Sequence, residues 1–390
     1  RYVHGLQSKK SIMQRYPASM KTYYVNGKDT PKVGNNITNK DLAKTLKSIA
    51  KKGKKGFYQG KVAKKLVKAV KKAGGIWTLE DLKNYQIVER EPIYTEYLGK
   101  KLITAAPPSS GGIALATMLN ILSGWDLKNM PKDKRIHLIV EAMRRAYRDR
   151  SIYLGDSDFV KIPTKMLINP YYADGLRASI RTDKATKSND LPGLGQYQEG
   201  QHTTHFSIID TEGNLVASTQ TVNTVFGSKF VAKGTGVLLN NEMDDFSAKP
   251  GSPNAYGLIG GDANAIAPGK RPLSSMTPTF VIGQDDVAVI GTPGGSRIIT
   301  MVLLGILDYY DGHDVKSWVS LPRFHHQYVP DVISYEPNAL SDEIIDKLEQ
   351  RGHKLKQLDH TWGNMNAAYW NKKTGFSDAA SDPRGGAAKR

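Results

Sequence analysis

Across Gln201-His202-Thr203-Thr204-His205-Phe206-Ser207 the pattern of the chain changes, and no fold can accommodate the sequence without accommodating that change. Upstream the apolar residues recur at helical spacing among many lysines and arginines. Downstream they alternate with polar residues between glycine-rich turns, the period of strands. Phe206 to Ile209 reads as a half-buried strand, Asp210-Thr211-Glu212-Gly213-Asn214 as its hairpin turn, and Leu215 to Val222 as the returning partner. Thr221 and Asn223 lie two apart on that return, so the pattern puts them on one side, near the end where Thr203 emerges. A chain that changes period at one point also has a natural point of scission. Cleavage after His202 would give Thr203 a free α-amine of pKa near ~8 within reach of its own hydroxyl, which is how a weak threonine nucleophile acquires a base.

Charge follows the same division. Residues 1 to 202 hold 38 Lys and Arg against 17 Asp and Glu, and the remainder holds 17 against 20. The excess is densest between Lys40 and Lys72. No aromatic interleaving or nucleic-acid motif accompanies it, so it reads as the solvent side of two helices and nucleic acid is not an expected partner. The absence of cysteine removes disulfides, thiolate metal sites and a cysteine nucleophile. No apolar run approaches the ~18 residues of a membrane span. The chain opens at Arg1 with neither a basic nor an apolar leader segment, which suggests a processed or truncated product.

In the upstream half, the pattern predicts helices over Asp41 to Ala50, capped by Asn39 with a stripe of Leu42, Leu46 and Ile49, and over Lys61 to Ala73, with Val62, Leu66, Val67 and Val70 buried before Gly74-Gly75. Thr78 and Asp81 form a capping-box pattern. Strand material from Ile93 to Ile103 turns at Gly99. Ser109 and Ser110, in Pro107-Pro108-Ser109-Ser110-Gly111-Gly112, lack the spacing of a nucleophile elbow and read as caps of a helix over Ile113 to Leu122. The helix around His137 to Tyr153 carries Glu141, Arg144, Arg145, Arg148, Asp149 and Arg150, either as a buried ion network or as a solvated face.

In the downstream half, Asn240-Asn241-Glu242-Met243-Asp244-Asp245-Phe246 precedes an aperiodic segment from Ser247 to Asn264 that contains Tyr256. Arg271-Pro272-Leu273-Ser274-Ser275-Met276 follows. A strand over Val287 to Ile290 then enters Gly291-Thr292-Pro293-Gly294-Gly295-Ser296-Arg297 and a helix reaching Tyr310. Strand, glycine turn and helix start together aim backbone N–H groups at one point, which suits an anion or a developing oxyanion. His325 and His326 are adjacent without a third ligand, and a metal is not expected there.

Taken in order, Thr-Thr-His at 203 to 205, Thr-x-Asn at 221 to 223, the 240 to 246 segment, Pro-Leu-Ser-Ser-Met at 272 to 276 and Pro-Gly-Gly-Ser-Arg at 293 to 297 resemble the small subunit of the γ-glutamyltranspeptidases, which are N-terminal-nucleophile hydrolases. The resemblance reaches back through Pro-Pro-Ser-Ser-Gly-Gly and the Asp149-Arg150 to Asp156 stretch. It implies an α/β fold, a four-layer αββα sandwich, with residues 1–202 as a large-subunit portion and 203–390 as the small subunit. By the same resemblance Thr203 is the nucleophile for self-cleavage and for the acyl-enzyme, and Thr221 bonds near it. Asn223, Glu242 and Asp245 would meet the substrate ammonium, Ser274 and Ser275 its α-carboxylate, Gly294 and Gly295 the oxyanion, and Tyr256 would sit in a lid. Substrates would be glutathione and other γ-glutamyl compounds, with water, amino acids or peptides as acceptors, no cofactor and no metal, in a periplasmic or secreted setting.

Two departures stand out. Glu242 occupies a position where many bacterial members have Gln, and the arginine that the family places at the α-carboxylate lies in an N-terminal part of the large subunit that this sequence lacks. Alternatives to a γ-glutamyl transferase and hydrolase are a relative acting on poly-γ-glutamate or an acylated β-lactam, and an inactive homologue that binds an acidic surface through its basic half.

Overall fold

Segments of helical and alternating period fold into the elements that their patterns specify, with a few informative exceptions. The computed structural model describes residues 2–193, 203–247 and 261–385. In chain order the helices are α1 (Tyr2–Met13), α2 (Pro17–Tyr23), α3 (Lys40–Lys52), α4 (Lys55–Tyr58), α5 (Gly60–Lys72), α6 (Leu79–Asn84), α7 (Gly111–Leu122), α8 (Lys132–Tyr153), α9 (Thr164–Leu167), α10 (Pro170–Ala178), α11 (Arg297–Tyr310), α12 (Val315–Ser320) and α13 (Asp342–Gln350). The strands are β1 (Ile93–Tyr97), β2 (Lys100–Thr104), β3 (Thr203–Ile209), β4 (Leu215–Thr221), β5 (Val231–Ala232), β6 (Val237–Leu238), β7 (Thr279–Ile282), β8 (Asp286–Gly291), β9 (Phe324–His325), β10 (Ile333–Tyr335), β11 (Leu355–Gln357), β12 (Asn366–Asn371) and β13 (Ser377–Ser381). They form two compact units, one of residues 1–89 with 222–242, the other of 90–221 with 243–390.

In the first unit α5 buries Val62, Ala63, Leu66 and Val67 against Leu82 of α6 and Ala232 of β5. Its lysines, Lys61, Lys64, Lys65 and Lys68, face solvent as its period requires. Asn39 caps α3 through the Leu42 N–H, and Thr78 and Asp81 make the reciprocal capping box. The expected stripe of α3 is formed only in part: Leu42 and Ile49 are half-buried on the face of the buried Thr45, whereas Leu46 is 55% exposed. The Thr45 hydroxyl donates to the Thr235 carbonyl at 2.7 Å, and Asn39 Nδ2 donates to the Gly236 carbonyl at 2.9 Å. These long-range polar bonds fix the face that Thr45 shares with Leu42 and Ile49 and leave Leu46 outside it.

The second unit is built on a six-stranded sheet of order β1-β2-β7-β8-β12-β13, antiparallel throughout. Strand β8 is buried on both faces, which suits its Val-Ala-Val-Ile run. Ala288 and Ile290 join the main core with Leu115 and Leu119 of α7 and Ile299 and Leu303 of α11. Gly291, on the opposite face with Val287 and Val289, meets the β3–β4 hairpin, which packs over β8 and β12. The layers are therefore helices, sheet and hairpin, the α/β class of the expected sandwich.

Helix α7 begins at Gly111, two residues before the apolar run. A Cβ on Gly111 would lie 2.2 Å from Thr277 Oγ1, and one on Gly112 would lie 2.2 Å from the Ala105 carbonyl, so only glycines allow the helix to start against these neighbours.

On α8 the buried ion network is the arrangement formed. Glu141 accepts from Arg144 Nε at 3.2 Å, Arg145 Nη1 at 2.6 Å and the Thr186 hydroxyl at 2.6 Å. Burial pushes this carboxyl up, but Arg144, Arg145 and Thr186 more than offset it and hold it at about 2.

Candidate active site

Strand β3 starts at Thr203, and the hairpin register pairs Thr203 directly with Thr221. The buried side chain of this strand is His205. Ser207 Oγ donates to the Asn366 carbonyl at 3.1 Å, so at 2.9 Å from the ring it accepts from His205 Nε2–H. His205 Nδ1 is then the acceptor for Thr219 Oγ1 at 2.8 Å. The ring lies on Gly291: a Cβ there would meet His205 Cε1 at 2.2 Å. One imidazole thus joins the strand that opens at Thr203 to the strand that ends in the glycine turn. No signal short of the three-dimensional packing distinguishes this histidine from an ordinary strand residue.

Burial holds His205 neutral and lowers its pKa to about 4; burial does the same for His326, to about 4 with Arg144 adding to it, and for His353, to about 3 with His137 adding to it. An unfolded histidine titrates near ~6.5, so the unfolded chain takes up protons first on acidification, and each ring removes up to about 1.4 kcal/mol of stability per pH unit. This stability is complete above pH ~6.5 and is lost as the pH falls toward the folded values. Melting followed by circular dichroism is expected to show a midpoint that drops steadily between pH 6.5 and 4; a flat midpoint across that window would refute the assignment.

Beyond β8 the chain turns through Thr292-Pro293-Gly294-Gly295-Ser296 into α11. Gly294 has φ +151° and Gly295 φ +59°, both in the region that favours glycine. Their carbonyls accept from the N–H groups of Arg297 and Ile298, each at 3.2 Å. Among the described residues neither glycine N–H donates a hydrogen bond. The turn is held from behind: Tyr147 Oη donates to the Ser296 carbonyl, and Ser296 Oγ donates to Gln327 Oε1 at 2.9 Å. His325, the buried neighbour of His326, bridges Gln327 Oε1 at 2.6 Å and Thr300 Oγ1 at 2.8 Å.

Ser109 Oγ accepts from the Gly111 N–H at 3.2 Å at the start of α7, as expected of a cap, but Ser110 does not serve as one. Ser110 occupies the cap position of α7 without a capping bond, because its hydroxyl donates to the Ser274 carbonyl at 2.7 Å. The Ser110 N–H donates to the same carbonyl at 2.8 Å, and Ser109 Oγ donates to the Met276 carbonyl at 2.5 Å. The Pro-Pro-Ser-Ser loop is thus a cradle for the Ser274-Ser275 segment. Arg150 on α8 completes it, donating to Ser110 Oγ at 2.9 Å and to Ser275 Oγ at 3.2 Å. Asn264 ties in the acidic segment: its Nδ2 donates to the Asp245 carbonyl at 2.8 Å while its Oδ1 accepts from the Leu273 N–H at 2.9 Å.

Asn223 and Glu242 belong to the first unit. Asn223 is not on the return strand: β4 ends at Thr221, and Asn223 has φ +72°, so the period-2 argument for a shared face with Thr221 does not apply. Asn223 is buried and its Nδ2 donates to the Asn241 carbonyl at 3.0 Å. Glu242 opens a single 3₁₀ turn that ends at Asp245, and its N–H donates to Asn240 Oδ1 at 3.0 Å. Tyr256 and His202 lie outside the described residues.

Among the described residues two groups of potential metal ligands come together, His137-Glu141-His353 and Asp308-Asp311-His313. In the first, His137 Nε2–H donates to the Arg181 carbonyl at 2.8 Å, leaving Nδ1 to accept from His353 Nε2 at 2.7 Å, while Glu141 is engaged by Arg144, Arg145 and Thr186. That donor set suits a hydrogen-bonded core better than a cation. In the second, Asp311 is held by Arg135 at 2.7 Å.

Residues 1–389 match the family described as gamma-glutamyltranspeptidase. The chain is similar to the glutathione hydrolase proenzyme of Pseudomonas sp. (strain A14), 48% identical over 327 residues covering 83% of this chain and 57% of that protein. It is also similar to the glutathione hydrolase proenzyme of Escherichia coli (strain K12), 44% identical over 358 residues covering 90% and 61% respectively. The chain therefore spans well under two thirds of the length of these relatives. In fold it is similar to the cephalosporin acylase of Bacillus halodurans, with a TM-score of 0.82 at 24% identity, covering 98% of this chain and 68% of that one. Among the described residues no helix is long and apolar enough to cross a membrane. Ordered motifs, a threonine-led hairpin beside a glycine turn, and a match along almost its entire length make this chain a member of the γ-glutamyltranspeptidase family.

Proposed function

We propose that the protein is a γ-glutamyl transferase and hydrolase, activated by scission between His202 and Thr203 into a portion of residues 1–202 and a small subunit of residues 203–390. The observation that carries the reading is the pairing of Thr203 with Thr221 at the mouth of a hairpin that His205 binds to the strand leading into Gly294 and Gly295, whose N–H groups donate to no described residue. In this reading the Thr203 amine takes the proton of its own Oγ as that oxygen attacks the γ-carbonyl, and Thr221 bonds beside it. The oxyanion is met by the two glycine N–H groups. The ammonium returns its proton to the departing amine as the carbon–nitrogen bond breaks, leaving a γ-glutamyl ester on Thr203. Water or the amine of an amino acid or peptide then releases the acyl group.

Asn223, Glu242 and Asp245 would hold the substrate ammonium, Ser274 and Ser275 its α-carboxylate, and the segment of Tyr256 would cover the site. Glutathione and related γ-glutamyl compounds are the substrate class, as the names of the similar proteins support, and the setting in this reading is periplasmic or secreted. Mass spectrometry of the full-length protein is expected to find a fragment beginning at Thr203, and that preparation is expected to release p-nitroaniline from γ-glutamyl-p-nitroanilide. A chain that stays whole and releases none would instead be an inactive homologue, and the proposal would fall.

A further inference from the structure

Arginines buried in the second unit are generally matched to carboxylates. Arg144 and Arg145 meet Glu141, Arg323 meets Asp382, and the partly buried Arg384 meets Glu336. Arg150 differs. It is 5% exposed, yet among the described residues no carboxylate lies within 4.0 Å of it, and its hydrogen bonds go to two hydroxyls, Ser110 Oγ and Ser275 Oγ. Its neighbour Asp149 is engaged elsewhere, by Arg148 at 2.8 Å and by Tyr172 Oη at 3.0 Å. A guanidinium withdrawn from water without a counter-charge is unfavourable unless an anion completes it.

The directions of the surrounding bonds say where that anion would sit. A guanidinium only donates, so Ser275 Oγ accepts from Arg150 and keeps its own hydrogen. Ser274 Oγ likewise accepts, from the Met276 N–H at 3.1 Å. Among the described residues neither serine hydroxyl donates to a protein atom. Two adjacent O–H groups thus each accept one hydrogen bond and keep their hydrogens available, with a buried positive charge directly behind one of them. Donation from a cation draws electron density from the Ser275 oxygen and strengthens its O–H as a donor.

We infer that Arg150 is a positioning residue of the substrate α-carboxylate site, contributing positive charge through Ser275 and fixing the Ser274-Ser275 segment through Ser110. The inference rests on the reading of Ser274 and Ser275 as the carboxylate-binding pair. It assigns a source of charge within residues 1–390, additional to any arginine from elsewhere in the family's large subunit.

The test is a cycle of two substrates and three proteins, using the full-length enzyme. γ-Glutamyl-p-nitroanilide carries the α-carboxylate, whereas 4-aminobutyryl-p-nitroanilide is the same acyl donor without it. Arg150→Gln is expected to raise KM for the first by about 10–100-fold, the scale of a lost charge-assisted hydrogen bond, with kcat changed little and with kinetics on the second substrate unaltered. Arg150→Lys retains the charge and is expected to recover at least about half of that loss on a logarithmic scale. If Arg150→Gln does not fold, Arg150→Lys and Ser275→Ala decide the matter: Lys must keep, and Ala must reduce, the preference for the carboxylate-bearing substrate. Equal losses on both substrates, or an unchanged preference in the variants, would overturn the inference while leaving the proposed function standing. A wild-type enzyme that turns over γ-glutamyl-p-nitroanilide without preferring it would remove the carboxylate-site reading itself.

Discussion

Replacing Thr203 with alanine is expected to leave one uncut chain and to reduce γ-glutamyl-anilide turnover on the order of 10⁶-fold, the scale on which an enzyme that loses its hydroxyl nucleophile falls silent. The expectation separates chemistry from stability. Thr203 is the first residue of β3 and is only half-buried, so alanine preserves the strand, its pairing with Thr221 and the packing of His205 two residues on. What disappears is the oxygen to which the proposal gives both attacks, within the precursor and at the substrate. An unchanged melting temperature together with an intact chain in the mass spectrum would complete the result. Two fragments from Thr203→Ala would show that another residue cuts, and appreciable turnover would place the nucleophile elsewhere.

Gly294→Ala is expected to lower kcat by about 10²–10³-fold with a smaller effect on KM, because an oxyanion donor acts mainly in the transition state. The backbone is the reason. At φ +151° an L side chain is strained in any surroundings, and the added Cβ would fall 2.4 Å from Met301 Cε. The flexible methionine could yield, but the dihedral could not, so the Gly294-Gly295 peptide would rotate and its N–H groups would swing from their direction. Gly295→Ala, at φ +59°, adopts an ordinary left-handed conformation at a cost of about 1–2 kcal/mol and serves as the milder comparison. Steady-state kinetics of both variants, with wild-type kcat in Gly294→Ala as the contrary outcome, test whether this turn is where the charge develops.

What could be read from the sequence was what local chemistry decides. The hairpin from Thr203 to Thr221, the capping box of Thr78 and Asp81, the helix over Gly60–Lys72 and the strand entering the Gly294-Gly295 turn each follow from residues within a few positions of one another. What could not be read was decided at a distance. Thr45 is turned inward by a carbonyl 190 residues further along the chain. Ser110 gives up its helix for a carbonyl 164 residues away, and Arg150 finds its hydroxyl partner 125 residues downstream. Asn223 leaves the strand through a left-handed backbone conformation that its residue type tolerates but does not announce. The charges of α8 could be counted, but which arginine lacked a carboxylate became visible only when the others had found theirs.

Asn264 clasps the Asp245 carbonyl with one end of its amide and the Leu273 N–H, next to Ser274, with the other. An amide is flat and of fixed span, so this side chain is a gauge block between the segment that would read an ammonium and the segment that would read a carboxylate. A change in the length or tilt of that amide would move the two segments relative to one another. Their separation is thus fixed by a residue that belongs to neither.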